Sequence, residues 1–248
     1  MKKLILTTIS FVLLGYLVQA QTTPPATKDW SKIDLSSRAA DHFMIQFGSD
    51  SWTSKPDSVK TGGGFSRHFN IYFMYDVPFK TDPHYSVAFG AGVGTSNIFF
   101  DDHTFVNVNA PSATLPFRHL DSTANHFAKS KITTIYFQAP VELRYFTHPE
   151  NPSASWKFAA GIKVGTLLKA YSKSKNYENA AGNSLYGKTY VEKHMSNRFF
   201  NATNIELTGR VGYGIVSFDM GYQVTGVLRD GFGPVMNKFS AGLTISGL

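Results

Sequence analysis

Between Thr134 and Thr147 the chain reads TIYFQAPVELRYFT, and apolar and polar positions alternate. Ile135, Phe137, Ala139, Val141, Leu143 and Tyr145 fall on one parity, and Thr134, Tyr136, Gln138, Glu142 and Arg144 on the other. Successive side chains of a strand point to opposite faces, so this segment is a strand with one apolar face and one that carries a carboxylate and a guanidinium. Its length suits a membrane crossing. Pro140 cannot donate to a sheet ladder, so a bulge or a local break in pairing is expected there.

The same alternation recurs along the chain. Further strands are expected at about 42–48, 65–77, 85–97, 156–171 and 201–212, then after the tight turn at Tyr213-Gly214, and at 238–247. In the second, Phe69, Ile71, Phe73, Tyr75 and Val77 oppose His68, Asn70, Tyr72, Met74 and Asp76. In the third, Gly90, Gly92 and Gly94 share one parity, which suggests an inner face where bulky neighbours need room. In the fifth, Trp156, Phe158, Ala160, Ile162, Val164 and Leu168 oppose Lys157, Gly161, Lys163, Gly165 and Lys169. Connections alternate between long polar loops, notably 100–129 and 172–198, and short turns such as PFKTDP and HPENPSAS. Long outer loops and short periplasmic turns mark an all-β, eight-stranded antiparallel up-and-down transmembrane β-barrel.

A soluble lipocalin-type barrel also alternates, with its apolar side inward. Three features favour the membrane. The apolar parity is nearly free of charge at the centre of each strand. The other parity carries a dense mixture of charges, as an enclosed polar interior does. Aromatics recur near strand ends, at Tyr75, Tyr85, Tyr145, Trp156 and Tyr213, where an interfacial girdle belongs. Composition agrees: aromatics are 15% of residues and charged groups 17%, against a usual charged share of about 25%.

Lys2-Lys3, the apolar run Leu4 to Leu17 and Val18-Gln19-Ala20 form a cleavable secretory signal peptide over residues 1–20, implying export to the outer membrane. Residues 21–40 read as a polar linker and 41–248 as the barrel domain. There is no cysteine, which excludes disulfides and thiolate metal sites. The net charge of +7 points to outer-membrane lipids as partners rather than nucleic acid.

The inward ionisable residues are then Asp76, Glu142, Glu206 and Asp219 with Arg144, Lys157, Lys163, Lys169, Arg210 and Lys238. An eight-stranded interior is about wide enough for side chains to fill, and buried charges persist when paired, so a plugged lumen is expected rather than a pore. Glu142 with Arg144 and Glu206 with Arg210 are expected to share one network. Lys169, Lys173, Lys175, Lys188, Lys193 and Arg198 cluster near one loop, where Lys173, Lys175, Lys188 and Lys193 are candidates for contact with lipopolysaccharide phosphates. His103, His119 and His126 share another loop, but no HxxxH or HExxH spacing occurs, and no metal or other cofactor is expected. No Gly-x-Ser-x-Gly elbow occurs, and no catalytic residue is assigned. The alternatives to a non-enzymatic barrel are a lipid-modifying enzyme, a small-solute channel and a soluble ligand-binding barrel.

At Tyr136-Phe137-Gln138-Ala139-Pro140-Val141-Glu142-Leu143-Arg144-Tyr145 the chain resembles the PorT-like outer-membrane β-barrel family of Bacteroidetes. Tyr136, Pro140, Arg144 and Tyr145 match its pattern, whereas Glu142 stands where an apolar residue is usual. Phe158-Ala159-Ala160-Gly161 with Gly165 and Leu167, and the Gly-rich ending from Gly212, are also similar. The resemblance implies an outer-membrane barrel. It also implies a structural or assembly role beside other cell-envelope proteins, one of which could be a protein secretion system.

Overall fold

The computed structural model describes residues 43–62, 65–101, 103–120 and 123–247. The expected signal peptide and linker lie outside the described residues. Eight long strands form the wall: β1 (Phe43–Thr53), β2 (Arg67–Pro78), β3 (Tyr85–Phe100), β6 (His126–Phe146), β7 (Trp156–Glu178), β9 (Thr203–Tyr213), β10 (Val216–Gln223) and β11 (Asn237–Ser246). Three short ones lie within the long connections: β4 (Thr104–Val106), β5 (Phe117–His119) and β8 (Val191–Met195). Each long strand pairs antiparallel with the next, β6 pairs β7, and β1 pairs β11, so the ring closes. A closed ring leaves no unpaired edge in the wall, which a bilayer requires.

The alternation sorts side chains as the pattern predicts. One row runs through Phe239, Tyr222, Leu207, Ile162, Val141, Phe89 and Tyr75 on seven successive strands, all exposed on the outside. The neighbouring inward row is Asp50, Ser240, Gly221, Thr208, Gly161, Glu142, Ala88 and Asp76. Near the short turns, Tyr85 packs on Tyr145 with ring centroids 5.1 Å apart, and Trp156 on Tyr213 at 5.7 Å. These rings form a girdle at the periplasmic rim. On β3, a Cβ at Gly92 would overlap the ring of Tyr72, and one at Gly94 the amide of Gln138, so these glycines give the lumen side chains their space.

Two details depart from the sequence pattern, and a third follows it. First, β6 and β7 continue well past the expected boundaries, and β8 pairs back onto β7 from Tyr171↔Met195 to Lys175↔Val191. The supposed loops therefore contain a three-stranded extension of the wall. Second, the β6–β7 register shifts: Tyr136 pairs with Leu167, but Ile135 pairs with Lys169. Leu168 is the extra residue of a β-bulge, and it reverses the in–out parity of β7. Lys169, expected inward, is therefore exposed on the outside. Third, pairing between β3 and β6 runs to Phe89↔Val141 and resumes at Gly92↔Gln138, whereas the β7 side stays paired through Pro140↔Lys163. The ladder breaks on one side of Pro140, as its missing N–H dictates.

Above the membrane segment the interior changes character. Trp52, Ile98, Phe100 and Ile132 from the strand extensions pack with Val106, Val108 and Leu115, with Phe199 and Phe200, and with Val227, Leu228 and Met236 from the long connections. The outer connections thus fold into an apolar cap over the lumen.

Candidate functional site: a braced lumen and a basic outer face

Ladder pairing holds β6, β7 and β9 side by side, and their inward residues meet in the lumen as two clusters of ions. Glu142 Oε2 accepts from Arg144 Nε at 3.0 Å and from Arg210 Nη2 at 2.7 Å. Arg144 Nη1 lies 3.5 Å from Asp76, which also accepts from Ser86 Oγ at 2.7 Å. Glu206 forms the second cluster, 3.3 Å from Lys163 and 2.9 Å from Lys238. The Glu142–Arg210 bond joins β6 and β9 in one network, but Glu206 and Arg210 belong to different clusters. They stand four residues apart on β9, roughly 13 Å along a strand, so each meets a different level of the opposing wall. A Cβ at Gly221 would strike the Glu206 carboxylate, so glycine there admits the second cluster.

Hydrogen bonds tie these ions across the bore. Lys163 Nζ on β7 donates to Gln46 Oε1 at 2.9 Å on β1, the strand diametrically opposite in the ring. Gln46 Nε2 in turn donates to Thr244 at 2.9 Å, and Tyr72 Oη donates to Gln138 at 2.6 Å. The Lys163 ammonium also lies 5.3 Å from the centre of the Tyr72 ring. A third set gathers Asp219, which accepts from Thr244 at 2.8 Å, with His68 and Asp50. His68 Nδ1 is 2.8 Å from Asp50, its Nε2 is 4.0 Å from Asp219, and Ser96 donates to the same Asp50 carboxylate. The serine hydroxyl is turned to the acid and not to the imidazole, the reverse of what an activated nucleophile needs. Asp50 and His68 were absent from the inward ionisable set. The first strand's alternation fades at Gly48, so Asp50 read as loop, and His68 sat on the polar parity without a charge to mark it. Lys157 lies in the lumen mouth with its ammonium 5.4 Å from the Phe146 ring centre.

The candidate lipid-contact lysines separate. Lys173 pairs directly with Lys131 on β6 and with Lys193 on β8, and Lys175 pairs with Lys129. These positions face outward, because the alternating neighbours Ser130, Ser172 and Ser174 are buried. Lys188 lies exposed in the connection before β8, outside the paired strands that carry that face. Arg198 instead donates to the carbonyl of Ser112 at 2.5 Å and stacks 4.9 Å from the Phe199 ring centre, locking one long connection to another. The three loop histidines do approach: His103 stacks on His126 with ring centres 4.5 Å apart and stands 6.1 Å from His119. Ring nitrogens lie in the ring plane, so a stacked pair does not aim them at one ion. Among the described residues, no group of three such side chains is arranged to hold a metal.

Three solved structures match most of this chain at low sequence identity and low TM-score. Two of Ail, the attachment invasion locus protein of Yersinia pestis, share 10% and 12% identity and a TM-score of 0.33, covering 82% of this chain and 96% and 95% of theirs. Neisserial surface protein A shares 14% identity with a TM-score of 0.30, covering 83% of this chain and 97% of its own. No curated protein sequence matches. The outer membrane protein beta-barrel domain matches residues 19–232. With its closed antiparallel ring, apolar outer wall and polar inner wall, the chain belongs to the outer membrane protein beta-barrel domain family.

Proposed function

We propose that this protein is a non-conducting, non-enzymatic component of the outer membrane with a structural or assembly role, of the PorT-like kind, whose capped outer end meets other cell-envelope proteins. The observation that carries the reading is the Lys163–Gln46 hydrogen bond, which joins opposite walls of the barrel in the middle of the ion clusters. A side chain bonded across the bore occupies the path a solute would take. Buried ions that share partners in this way brace the wall from within. A braced wall under a packed apolar cap is a platform for holding surface elements in place. A partner in a secretion apparatus accords with that form, and neighbours captured by crosslinking in intact cells identify it.

Planar-bilayer recording tests the closed lumen. No stable unitary conductance is expected, and reproducible single-channel steps from purified protein would overturn the closed lumen in favour of a solute channel. Lipid A mass spectra unchanged by the protein's presence are expected, and a new acylation or deacylation product would overturn the non-enzymatic reading.

A further inference from the structure

The outward face of the wall extension carries Arg67, Lys129, Lys131, Lys173, Lys175 and Lys193. Cross-strand pairing puts Lys131, Lys173 and Lys193 in one row over three adjacent strands, with Lys129 and Lys175 paired in the row beyond. Like charges directly opposite on a sheet repel and destabilise the pair. Among the described residues, none of these six forms an ion pair with a carboxylate. Their contacts are neutral: Lys131 Nζ donates to Asn97 at 2.7 Å, Lys193 lies 4.2 Å from the Tyr171 ring centre, and Arg67 and Lys131 each lie 5.5 Å from that of Phe99. Arg67, Phe99, Lys129, Lys131, Lys173 and Lys175 line a cleft of about 280 Å³. Partial burial and the positive charges of Lys173, Arg67 and Lys175 hold the Lys131 ammonium below the ordinary lysine pKa, although Tyr171 opposes them. A set of cations that repel one another, five of them around one cleft, lacks an anion.

The height of this face says which anion. The outward residues of β6 from Tyr145 up to Ile135 are predominantly apolar, and about ten residues of tilted strand span an apolar band roughly 25 Å tall. Lys131 stands two outward positions above Ile135, and Lys129 one more, at the level where lipid headgroups begin. The cations face the bilayer side of the wall rather than the loop tips, so the occupant sits beside the barrel in the outer leaflet. Lys188 and Arg198, though close in sequence, are not part of the face.

We infer that this six-residue face is a binding site for the phosphate groups of an outer-leaflet glycolipid of the lipopolysaccharide type, with Lys173, flanked on both sides by cations, at its centre. The site rests on the membrane placement of the barrel and is independent of whether the lumen conducts.

The test uses the full chain in a neutral detergent and three probes: bis-phosphorylated lipid A, the same lipid A with its phosphates removed, and inorganic pyrophosphate. Retention of each is read by native mass spectrometry across a salt series. The phosphorylated lipid is expected to bind and to weaken as salt rises, the dephosphorylated lipid to bind far less, and pyrophosphate to compete only weakly. In the variant Lys131→Gln/Lys173→Gln/Lys193→Gln, affinity for the phosphorylated lipid should fall about a hundred-fold, each cation near a charged lipid surface contributing about fivefold. A second readout separates a ligand site from a structural one. Without lipid, the triple variant should unfold at a higher temperature than the parent, because repulsion has been relieved. Equal binding of the two lipids, unchanged binding by the variant, or a lower unfolding temperature without lipid would each overturn the inference. Pyrophosphate binding as tight as the lipid's would overturn the lipid as occupant.

Discussion

The two halves of this barrel fill their interiors with opposite materials, although the same strands run through both. In the lower half, β6 turns Gln138, Glu142 and Arg144 inward and Phe137, Val141 and Leu143 outward. A few residues higher, the same strand turns Ile132 inward and Lys131 outward. On β7, Lys163 is inside and Val164 outside, then Ala170 is inside and Lys173 outside. The reversal follows the solvent around the wall. Where lipid surrounds the barrel, apolar side chains lose nothing by facing out, and polarity collects within. Where water surrounds it, the usual segregation returns and an apolar core forms. The bilayer's upper boundary can therefore be read along β6 and β7 as the level at which the two faces exchange polarity.

Replacing Glu142 by alanine leaves Arg144 and Arg210 without their shared acceptor, and removing one partner of a buried ion set costs about 3–5 kcal/mol. Urea titration of the folded barrel, followed by its heat-modifiable gel migration, should show a loss of that size. A neutral result would mean that water, and not ion pairing, sustains the lower lumen. The upper half should respond more locally. Met236 is fully buried in the cap, and Met236→Ala should cost roughly 3 kcal/mol there. Hydrogen exchange would then rise across 103–120 and 196–202 while the gel shift of the barrel stays as it was. If cap and barrel instead melt together, they form one cooperative unit and the division between them is not energetic. The boundary itself is sharpened by one substitution made at two heights. Val141→Lys, on the lipid face within the band, should cost about 2–3 kcal/mol. Val235→Lys, on the exposed surface of the cap, should stay within about 0.5 kcal/mol. Equal costs measured by refolding into vesicles would remove the membrane from the explanation.

The lower half was legible in the sequence because lipid imposes a simple rule. Strict alternation named the eight strands of the wall, the face each residue takes and most of the lumen charges. The upper half was not, because the rule changes with the solvent. From Ser172 to Arg198 the chain is rich in Ser, Lys and Asn and reads as loop, yet Ser172 and Ser174 are the buried side of an ordinary sheet and the lysines its wet side. The cap residues Val106, Val108, Leu115, Phe199 and Phe200 stand singly or in pairs among polar neighbours, without a period, and only folding gathers them. Lys169 was misplaced for a different reason: counting by twos cannot see the bulge at Leu168. The partners of Glu206 were missed because register across strands, rather than spacing along one, decides which ions meet.

The β1–β11 ladder carries a further consequence. It pairs Met44 with Ser246 and Thr53 with Asn237, joining nearly the first and last described residues. The contact that closes the ring is thus the one most distant in sequence, and it cannot form until the final strand has been made. Until then the chain is an open sheet with two unsatisfied edges and an apolar outer face, a species prone to aggregate and slow to resolve. A chain that stops short of Asn237 keeps β1 paired with β2 but leaves its other edge open. Biogenesis therefore depends on keeping the unfinished sheet apart from its neighbours until the ten residues of β11 arrive at the seam.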